Sequence, residues 1–317
     1  MFRNNLTPLN HIKMEIKKEL KNYFIGADEI RNLENLQEDF LVEKLIPKGT
    51  LCALVGESDT GKSSLLRQLA ISLAYGDKYF LGFKLSESCR NVVYVSTEDS
   101  KIGTKKWLDK HLGEDIIQPE KLEKVVFTYL TDNLLHNIKL IAETNCVDLI
   151  IIDSYSDLFS GDMNKATEVR AFLNQYNELA NIYGVTIVFL HHTMKSSAGL
   201  RPNKNSILGS QGFEAKMRSV LMLTKDTKES SLRHLSIIKG NYVDEKEKKE
   251  SYILKFNENL SFEYTGERSN LDNLENDDYL PIARQMRNDG MTLRQISDAL
   301  KKLGYEVSKS SLERKLK

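Results

Sequence analysis

The octet GESDTGKS, from Gly56 to Ser63, combines residue types that can hold a polyphosphate. Gly56 and Gly61 let the backbone turn its N–H groups inward around an anion, and Lys62 brings a positive charge to the β- and γ-phosphates. Ser63 offers a hydroxyl to Mg²⁺, and a helix that starts here points its positive end at the same anion. The apolar run before the octet and the helical pattern after it favour a Walker A site for ATP and Mg²⁺ over a structural glycine turn. The residues expected to contact the nucleotide are Gly56, Glu57, Ser58, Asp59, Thr60, Gly61, Lys62, Ser63 and Ser64.

Asp59 is the irregular position of this loop, because many loops of this type carry glycine there. Aspartate tolerates the left-handed backbone region better than most residues. We therefore expect the loop to keep its shape, while the negative charge of Asp59 weakens its affinity for phosphate.

Acidic side chains follow two apolar runs further along the chain. Asp153 closes the run VDLIIID, and Glu98 follows the run VVYVS. Because the carboxyl ends of parallel strands meet at one edge of a sheet, these side chains should lie beside the octet. We expect Asp153 to hold Mg²⁺ and Glu98 to polarise the attacking water, with Asp99 as the alternative base.

A histidine pair, His191 and His192, closes a third apolar run, VTIVFL. The pair could sense the γ-phosphate or contact nucleic acid. The alternative is an ordinary hydrogen-bonded core histidine, but two histidines at the end of a strand in such a sheet favour a functional role.

The elements that must position these residues alternate between apolar strands and helical patterns. Candidate strands are 51–55, 91–96, 125–127, 147–153 and 185–190, and candidate helices are 102–112, 134–145 and 167–183. This alternation indicates an α/β fold with a mostly parallel sheet that helices cover on both faces. Segments 39–42 and 45–49 are expected to be extended, and 233–238 and 251–256 are expected to be late antiparallel strands.

Four segments follow from these patterns and from charge. They are an N-terminal helical arm over 1–34, the α/β domain over 35–266, an acidic linker over 267–278, and a small helical domain over 279–317. In the last segment, nine Lys and Arg residues outnumber four Asp and Glu residues. Helices are expected over 280–288, 292–303 and 308–316, because Thr292 with Gln295 and Ser310 with Glu313 have the spacing of a capping box.

Composition limits the classes of partner. The 317 residues carry no net charge, so binding of nucleic acid would need local basic patches rather than a global field. The three cysteines lie far apart and fit reduced, buried thiols in a cytoplasmic protein rather than a metal site. No apolar run approaches the length of a membrane span, and the first 21 residues mix charges throughout, so we expect neither a membrane segment nor a signal peptide.

The motifs stand in a familiar order: GESDTGKS, VVYVSTED, DLIIIDSYSDLF, IVFLHHTMK and LGSQGFEAKMRSVLML. This order resembles the RecA-like P-loop ATPases, above all the branch of the hexameric replicative helicase RepA and, more distantly, the DnaB helicases. The resemblance covers Phe40 to Tyr264. It implies a homohexamer with ATP between neighbouring subunits and single-stranded DNA in a central channel.

The resemblance also implies roles for individual residues. Lys62 and Ser63 would contact phosphate and Mg²⁺, Asp153 would hold the metal, and Glu98 would be the catalytic base. His192, alone or together with His191, would be the sensor that couples the state of the nucleotide to bound DNA.

A basic residue that reaches the γ-phosphate of a neighbouring subunit is part of the same resemblance. Arg218 is the first choice for this arginine finger, and Lys239 is the second. DnaB-like helicases have a Lys-x-Arg pair at the second position, whereas this chain has Asn241 in place of the arginine. The structural alternative for Arg218 is a surface salt bridge.

Two loops, 158–167 and 195–210, would face the channel by the same resemblance. Lys195, Arg201 and Lys204 lie in the second loop without an intervening acid, which fits contact with a single-strand backbone. A solvated loop is the alternative that charge alone leaves open. The loop has no aromatic residue for base stacking, so binding should tolerate sequence and depend on salt.

The C-terminal segment is similar to a helix-turn-helix module, whose recognition helix would present Lys309 and Arg314 to duplex DNA. Such modules also dock proteins. The sequence as a whole predicts a Mg²⁺-dependent, DNA-stimulated ATPase that acts as an oligomeric helicase or translocase in replication or mobile-element maintenance. The alternatives are a recombination accessory ATPase that does not unwind DNA and an ATP-gated DNA-binding regulator.

Overall fold

The computed structural model describes residues 27–32, 39–113, 118–144, 147–193, 202–241, 243–271, 279–303, 305 and 307–316. The chain divides into two compact units, residues 1–39 and 40–317. In the first unit the described part contains the helix Ala27–Arg31. The rest of the predicted N-terminal helical arm, residues 1–26 and 33–34, lies outside the described residues.

The second unit is organised by a large sheet. The strands are, in chain order, β1 (Phe40–Val42), β2 (Ile46–Pro47), β3 (Leu51–Gly56), β4 (Tyr79–Phe80), β5 (Phe83–Lys84), β6 (Val92–Ser96), β7 (Val125–Thr128), β8 (Leu149–Asp153), β9 (Thr186–His192), β10 (Ser219–Lys225), β11 (Leu232–Gly240), β12 (Glu250–Phe256) and β13 (Phe262–Asn270). Among the described residues, nine of them form one sheet in the order β13-β12-β11-β10-β3-β9-β8-β6-β7. Strands β1 with β2 and β4 with β5 form two small hairpins.

Helices connect and cover these strands. They span Lys62–Tyr75, Lys101–Leu112, Pro119–Leu122, Leu134–Glu143, Tyr155–Leu158, Ala166–Tyr183, Ser210–Lys216, Leu280–Asn288, Leu293–Lys302 and Lys309–Lys315. Two short 3₁₀ turns occupy Lys204–Ser206 and Glu247–Lys249. Within the described ranges no helix is both long and apolar enough to cross a lipid bilayer.

The six strands from β10 through β3, β9, β8 and β6 to β7 run parallel. Apart from the edge strand β7, where Val126 is 55% exposed, these strands are buried on both faces, because one apolar core lies under the Lys62–Tyr75 helix and a second lies under the Ala166–Tyr183 helix. The prediction of a mostly parallel, helix-covered sheet is confirmed. This arrangement brings the carboxyl ends of β3, β6, β8 and β9 to one edge, where Gly56 pairs with His192 and Ser96 pairs with Asp153.

An antiparallel extension, β10 to β13, widens the sheet on one side. The sequence predicted β11 and β12 but not β13. Strand β13 runs to Asn270, past residue 266 and into the segment that was predicted to be a linker. Residues 272–278, the rest of that linker, lie outside the described residues.

The three C-terminal helices share a small core of their own, formed by Tyr279, Ala283, Ile296, Leu300, Val307 and Leu312. The predicted capping box is present, since Thr292 Oγ1 accepts from the N–H of Gln295 at 3.3 Å and the Gln295 side chain accepts from the N–H of Thr292 at 2.9 Å. The cap predicted at Ser310 is wrong: Ser308 caps the last helix and accepts from Ser311 N–H at 3.2 Å. Both serines carry a hydroxyl that can cap a helix. The helix begins at Lys309, two residues before the start that a cap at Ser310 would give.

Two cysteines, Cys52 and Cys89, are free and buried, as the sequence predicted. Burial raises the pKa of the Cys52 thiol to about 12, which keeps it protonated and unreactive at neutral pH. Cys146 lies outside the described residues.

Candidate functional site

The phosphate loop, residues 56–63, joins β3 to the helix Lys62–Tyr75, and two of its positions require glycine. A Cβ atom on Gly56 would lie 2.3 Å from the carbonyl oxygen of Leu223. Gly61 has φ of +95°, and a Cβ there would lie 2.7 Å from Phe262 Cζ. Asp59 adopts φ of 59°, so the predicted left-handed conformation is confirmed.

Lys62 is directed into the loop rather than toward solvent. Its Nζ donates to the carbonyl oxygen of Glu57 at 2.7 Å, and only 5% of the residue is exposed. Burial lowers the pKa of Lys62 to about 8, although the nearby carboxylates of Glu98 and Asp153 oppose this shift. A positive charge held in a nearly dry loop interacts strongly with a phosphate.

The other loop residues divide by exposure. Ser58 and Asp59 are exposed, whereas Thr60 is buried and its hydroxyl donates to the Glu57 carbonyl at 3.0 Å. The hydroxyl of Ser64 accepts from the indole N–H of Trp107 at 3.1 Å, so it serves the packing of the helix.

Asp153 and Ser63 form a candidate metal site. Asp153 is 2% exposed, and its Oδ2 accepts from the Tyr94 hydroxyl at 2.6 Å. Its other oxygen, Oδ1, is buried and has no hydrogen-bond partner within the described part of the chain. Burial raises the pKa of Asp153, and interactions with the hydroxyls of Tyr94 and Ser63 oppose that rise. A hydroxyl and a free carboxylate oxygen are hard oxygen donors, and they fit Mg²⁺, which completes its shell with phosphate oxygens and water.

Glu98 and His192 meet across the sheet edge. His192 Nε2 lies 3.2 Å from Glu98 Oε1, and the two side chains are 26% and 46% exposed. Thr97 fixes the backbone beside Glu98, because its hydroxyl accepts from the N–H of Ser154 at 2.9 Å. Glu98 thus offers an accessible carboxylate at the strand end beside the phosphate loop, and it is paired with an imidazole.

Asp99, the alternative base, is engaged elsewhere. Its Oδ2 lies 2.9 Å from Arg67 Nη2, and its Oδ1 accepts from the N–H of Ser100 at 2.8 Å. A carboxylate that is held by a guanidinium is a poor proton acceptor. The geometry therefore favours Glu98 over Asp99.

His191 points away from the phosphate loop. It is fully buried, its Nε2 donates to the carbonyl oxygen of Leu208 at 2.9 Å, and its ring packs against Tyr155 and Phe213 with centroids 4.9 and 4.7 Å away. Burial lowers the pKa of His191 to about 4, so the ring is neutral. Successive residues of a strand face opposite sides of a sheet, so only His192 can face Glu98.

The second predicted channel loop begins and ends beside His192. Thr193 bridges to Ile207, and the N–H of Leu208 donates to the His192 carbonyl at 3.2 Å. Within the loop, Lys204 lies 3.4 Å from Glu214 Oε1 and is 55% exposed. Lys195 and Arg201 lie outside the described residues.

The two candidates for a trans-acting finger lie at the opposite edge of the sheet. The N–H of Arg218 donates to the carbonyl oxygen of Leu51, the first residue of β3, at 2.7 Å. The phosphate loop begins at the last residue of β3, five residue steps or about 17 Å further along. Arg218 is exposed, and its side chain makes no hydrogen bond or ion pair to the described residues. Lys239 pairs in register with Val220 at the same edge, and its Nζ lies 3.2 Å from Glu214 Oε1.

Sequence reasoning missed Arg67, which lies on the buried side of the phosphate-loop helix. Its guanidinium carbon lies 5.5 Å from the ring centroid of Tyr94 and 5.8 Å from that of Trp107. Asp99 neutralises its charge. The available signal was an arginine in the run SSLLRQLA, where the apolar neighbours leave little exposed surface.

Sequence reasoning also missed the contacts that hold the phosphate loop from behind. Arg233 Nε donates to the carbonyl oxygen of Thr60 at 3.1 Å, and its guanidinium lies 5.4 Å from the Phe256 ring centroid. Gln68 exchanges two hydrogen bonds with the backbone of Phe262, at 2.9 and 2.7 Å. Strands β11 and β13 therefore support the loop, and no local pattern in the sequence indicates such a long-range contact.

In the C-terminal helices, Lys309 and Arg314 are both exposed on the helix Lys309–Lys315. They belong to the same helix that the sequence predicted to contact DNA. Whether they bind DNA stays a prediction.

The geometry at the β3 edge suits hydrolysis of a phosphoanhydride. The loop and Lys62 can grip the phosphates, Ser63 and Asp153 can hold a metal ion, and Glu98 can accept a proton from water. A family model described as an AAA domain (AAA_25) matches residues 27–198 of this chain. The matched range contains all five of these features and ends before Arg218 and Lys239. No curated protein matches the chain.

Proposed function

Because the chain belongs to the AAA-domain family that its residues 27–198 match, and hence to the P-loop ATPases, we propose that it is a DNA-stimulated ATPase that acts as an oligomeric, RepA-like helicase or translocase. The observation that carries this proposal is the contact between Glu98 and His192 at the base of a loop. A base that is tied to a loop can be released or oriented when the loop binds a partner.

The chemical step uses residues at one edge of the sheet. The N–H groups of the phosphate loop and the Nζ of Lys62 bind the phosphates of ATP, and Ser63 and Asp153 would hold Mg²⁺. A metal ion bound there would neutralise the charge that develops on the phosphate oxygens. Glu98 orients the attacking water and accepts its proton, in the exposed position beside the loop.

Coupling to DNA runs through His192. Its backbone carbonyl accepts from the N–H of Leu208, in the 195–210 loop, and its imidazole contacts Glu98. A DNA strand bound to Lys195, Arg201 or Lys204 would shift this base of the loop and with it the imidazole. The proposal predicts that single-stranded DNA raises turnover and that added salt removes the effect.

The oligomer is supported by the position of Arg218. It is exposed about 17 Å from its own phosphate loop, beyond the reach of its side chain, so a nucleotide that it contacts would have to be bound to another copy. A head-to-tail arrangement of this kind closes into a ring when the rotation permits, and a hexamer is the ring that the RepA-like assignment implies.

Mixing two inactive variants tests the shared site. Lys62→Ala removes the phosphate-binding lysine and Arg218→Ala removes the finger, so each variant alone should lose turnover by about 10³ or more. An equimolar mixture should regain about a quarter of the wild-type rate, because random head-to-tail pairing joins an intact loop to an intact finger in about one contact of four. A mixture that stays inactive would contradict a trans-acting Arg218, and the same experiment with Lys239→Ala tests the second candidate.

Unwinding is tested separately, with a forked duplex and ATP. Strand separation that requires both Glu98 and ATP would support the helicase. ATPase stimulation by single-stranded DNA without strand separation would favour the accessory ATPase, and no stimulation at low salt would contradict a DNA-coupled motor.

The ATP-gated regulator is the second candidate, favoured by the exposed basic residues of the last helix. We propose that residues 279–317 form a helix-turn-helix-like domain in which Lys309 and Arg314 contact phosphates of duplex DNA. The double variant Lys309→Ala, Arg314→Ala should weaken duplex binding and lower its salt dependence by about two phosphate contacts. A sequence-specific footprint that survives in Glu98→Gln, with very slow turnover in the wild type, would favour the regulator over the motor.

A further inference from the structure

The carboxylate of Asp153 is set by a partner that the phosphate-loop motifs do not include. Tyr94 lies on β6, next to β8, and is completely buried. Its hydroxyl donates to Asp153 Oδ2 at 2.6 Å. In the register of the two strands, Tyr94 pairs with Ile151 and Ser96 pairs with Asp153, so the tyrosine reaches the carboxylate diagonally from two residues back.

This hydrogen bond makes the two carboxylate oxygens of Asp153 different. The terminal torsion of an aspartate is broad and roughly two-fold, so burial alone does not decide which oxygen faces the site. Oδ2 is occupied by the tyrosine, and Oδ1 is left without a hydrogen-bond partner among the described residues.

Arg67 holds the ring of Tyr94 in place. Its guanidinium lies over the Tyr94 ring at 5.5 Å and over the Trp107 ring at 5.8 Å, and it is only 5% exposed. Asp99 anchors the guanidinium at 2.9 Å, and the indole of Trp107 donates to Ser64 at 3.1 Å. The Tyr94 ring therefore contacts Arg67 of the phosphate-loop helix, and it also packs against Phe127 of β7 with ring centroids 5.2 Å apart.

We infer that Tyr94, clamped by Arg67, is a positioning residue that fixes Asp153 so that Oδ1 is presented to the Mg²⁺ of a bound nucleotide. The inference rests on the proposed function, because it concerns the metal that accompanies ATP. A tyrosine that merely filled the core would contribute its ring alone, and its hydroxyl would be dispensable. A positioning residue and a packing residue therefore differ in whether the hydroxyl oxygen of Tyr94 is needed.

The test compares two tyrosine-to-phenylalanine variants of the full chain. Tyr94→Phe removes the hydroxyl from Asp153 and keeps the ring. Tyr155→Phe is the matched control, because Tyr155 is also buried and its hydroxyl has no partner among the described residues. For each protein, calorimetry measures the affinity for ATP with Mg²⁺ and with a chelator, and electron paramagnetic resonance measures Mn²⁺ binding in the presence of a slowly hydrolysed ATP analogue.

Tyr94→Phe should lose about 10- to 100-fold in Mn²⁺ affinity, and its gain in ATP affinity from Mg²⁺ should shrink accordingly. Its affinity for ATP without metal should stay near that of the wild type, which shows that the fold and the phosphate loop are intact. Tyr155→Phe should match the wild type in both measurements. Arg67→Met should lose less Mn²⁺ affinity than Tyr94→Phe but more than Tyr155→Phe. Arg67→Lys should retain more Mn²⁺ affinity than Arg67→Met.

Three outcomes overturn the inference, and they differ in what else they overturn. If Tyr94→Phe binds Mn²⁺ and Mg²⁺–ATP as the wild type does, the hydroxyl has no positioning role, while the proposed ATPase stands. If the wild type itself gains no ATP affinity from Mg²⁺, the proposed function fails together with the inference. Equal losses in Tyr94→Phe and Tyr155→Phe would mean that the effect is general loosening of the core, which also contradicts a specific role.

Discussion

Replacement of Gly61 by alanine is the most specific perturbation that the phosphate loop offers. The backbone at Gly61 has φ of +95°, and an added Cβ would lie 2.7 Å from Phe262 Cζ and 3.5 Å from Phe256 Cζ. The substitution therefore combines an unfavourable backbone conformation with a steric overlap. Both contributions are present before any nucleotide binds.

The two contributions can be separated with Gly184→Ala. Gly184 has φ of +66°, and a Cβ there would meet no atom within 4 Å. Gly184→Ala should lower the free energy of unfolding only by the cost of the unfavourable backbone conformation, about 1–2 kcal/mol. Gly61→Ala carries a similar conformational cost plus the overlap, and overpacking typically costs about 1–3 kcal/mol, so its total should be about 2–5 kcal/mol.

Chemical denaturation of the two variants measures these costs, and calorimetry measures ATP affinity in parallel. Gly61→Ala should have a clearly lower denaturation midpoint than Gly184→Ala, and it alone should lose ATP affinity because the loop must shift to relieve the overlap. In a Phe262→Leu background, Gly61→Ala should cost less, since the ring edge is gone. Equal midpoints for the two alanine variants, with wild-type ATP affinity in Gly61→Ala, would refute this reasoning.

Four further predictions follow from the site. The affinity for ATP should fall as pH rises through about 8, the pKa of Lys62 in the free protein, because only the charged lysine binds phosphate; calorimetry in buffers of different ionisation enthalpy should show proton uptake on binding. The pKa of His191 is about 4 in the folded protein, below the ordinary 6.5, so the unfolded chain binds a proton more readily. The contribution of His191 to the free energy of unfolding should therefore be fully present above pH 6.5 and should fall by up to about 3 kcal/mol as the pH is lowered to 4. His191→Gln should lack this pH dependence. Glu98→Gln should keep ATP affinity and lower turnover by about 10²–10⁴ in steady-state assays. Asp59→Asn, which keeps tolerance for the left-handed conformation and removes the charge, should raise ATP affinity by roughly threefold to tenfold.

Each of these has a contrary outcome. If ATP affinity does not change from about one pH unit below the Lys62 pKa to about one unit above it, Lys62 is not the titrating group. A His191→Gln variant with the wild-type pH dependence would assign that dependence to other residues. Unchanged turnover in Glu98→Gln would mean that another carboxylate is the catalytic base. Weaker ATP binding by Asp59→Asn would mean that the charge of Asp59 stabilises the loop.

The parallel core could be predicted because its signals are local. Apolar runs such as 149–152 and 187–190 are long enough to be buried on both faces, and each is followed directly by a polar side chain, Asp153 or His191. Strand β13 could not be predicted in the same way. Its sequence, FEYTGERSN, is polar and mostly exposed, and it is a strand because its backbone pairs with β12.

Within the site, the residues of the loop and the strand ends were predictable, and their partners were not. The strand period could have separated His191 from His192, since adjacent strand residues face opposite sides. The contact between Tyr94 and Asp153 depends on the register of β6 against β8, and the contact between Arg233 and Thr60 joins residues 173 positions apart. Such pairings arise from the order of strands in the sheet, which one sequence does not contain.

Calorimetric titration of ATP into the purified protein, with and without Mg²⁺, tests the central claim most directly. The wild type should bind ATP, should bind it more tightly with Mg²⁺, and should lose this binding in Lys62→Ala at an unchanged denaturation midpoint. A folded wild-type protein that binds no ATP in either condition, or a Lys62→Ala variant that binds it equally well, would contradict a triphosphate site at residues 56–63.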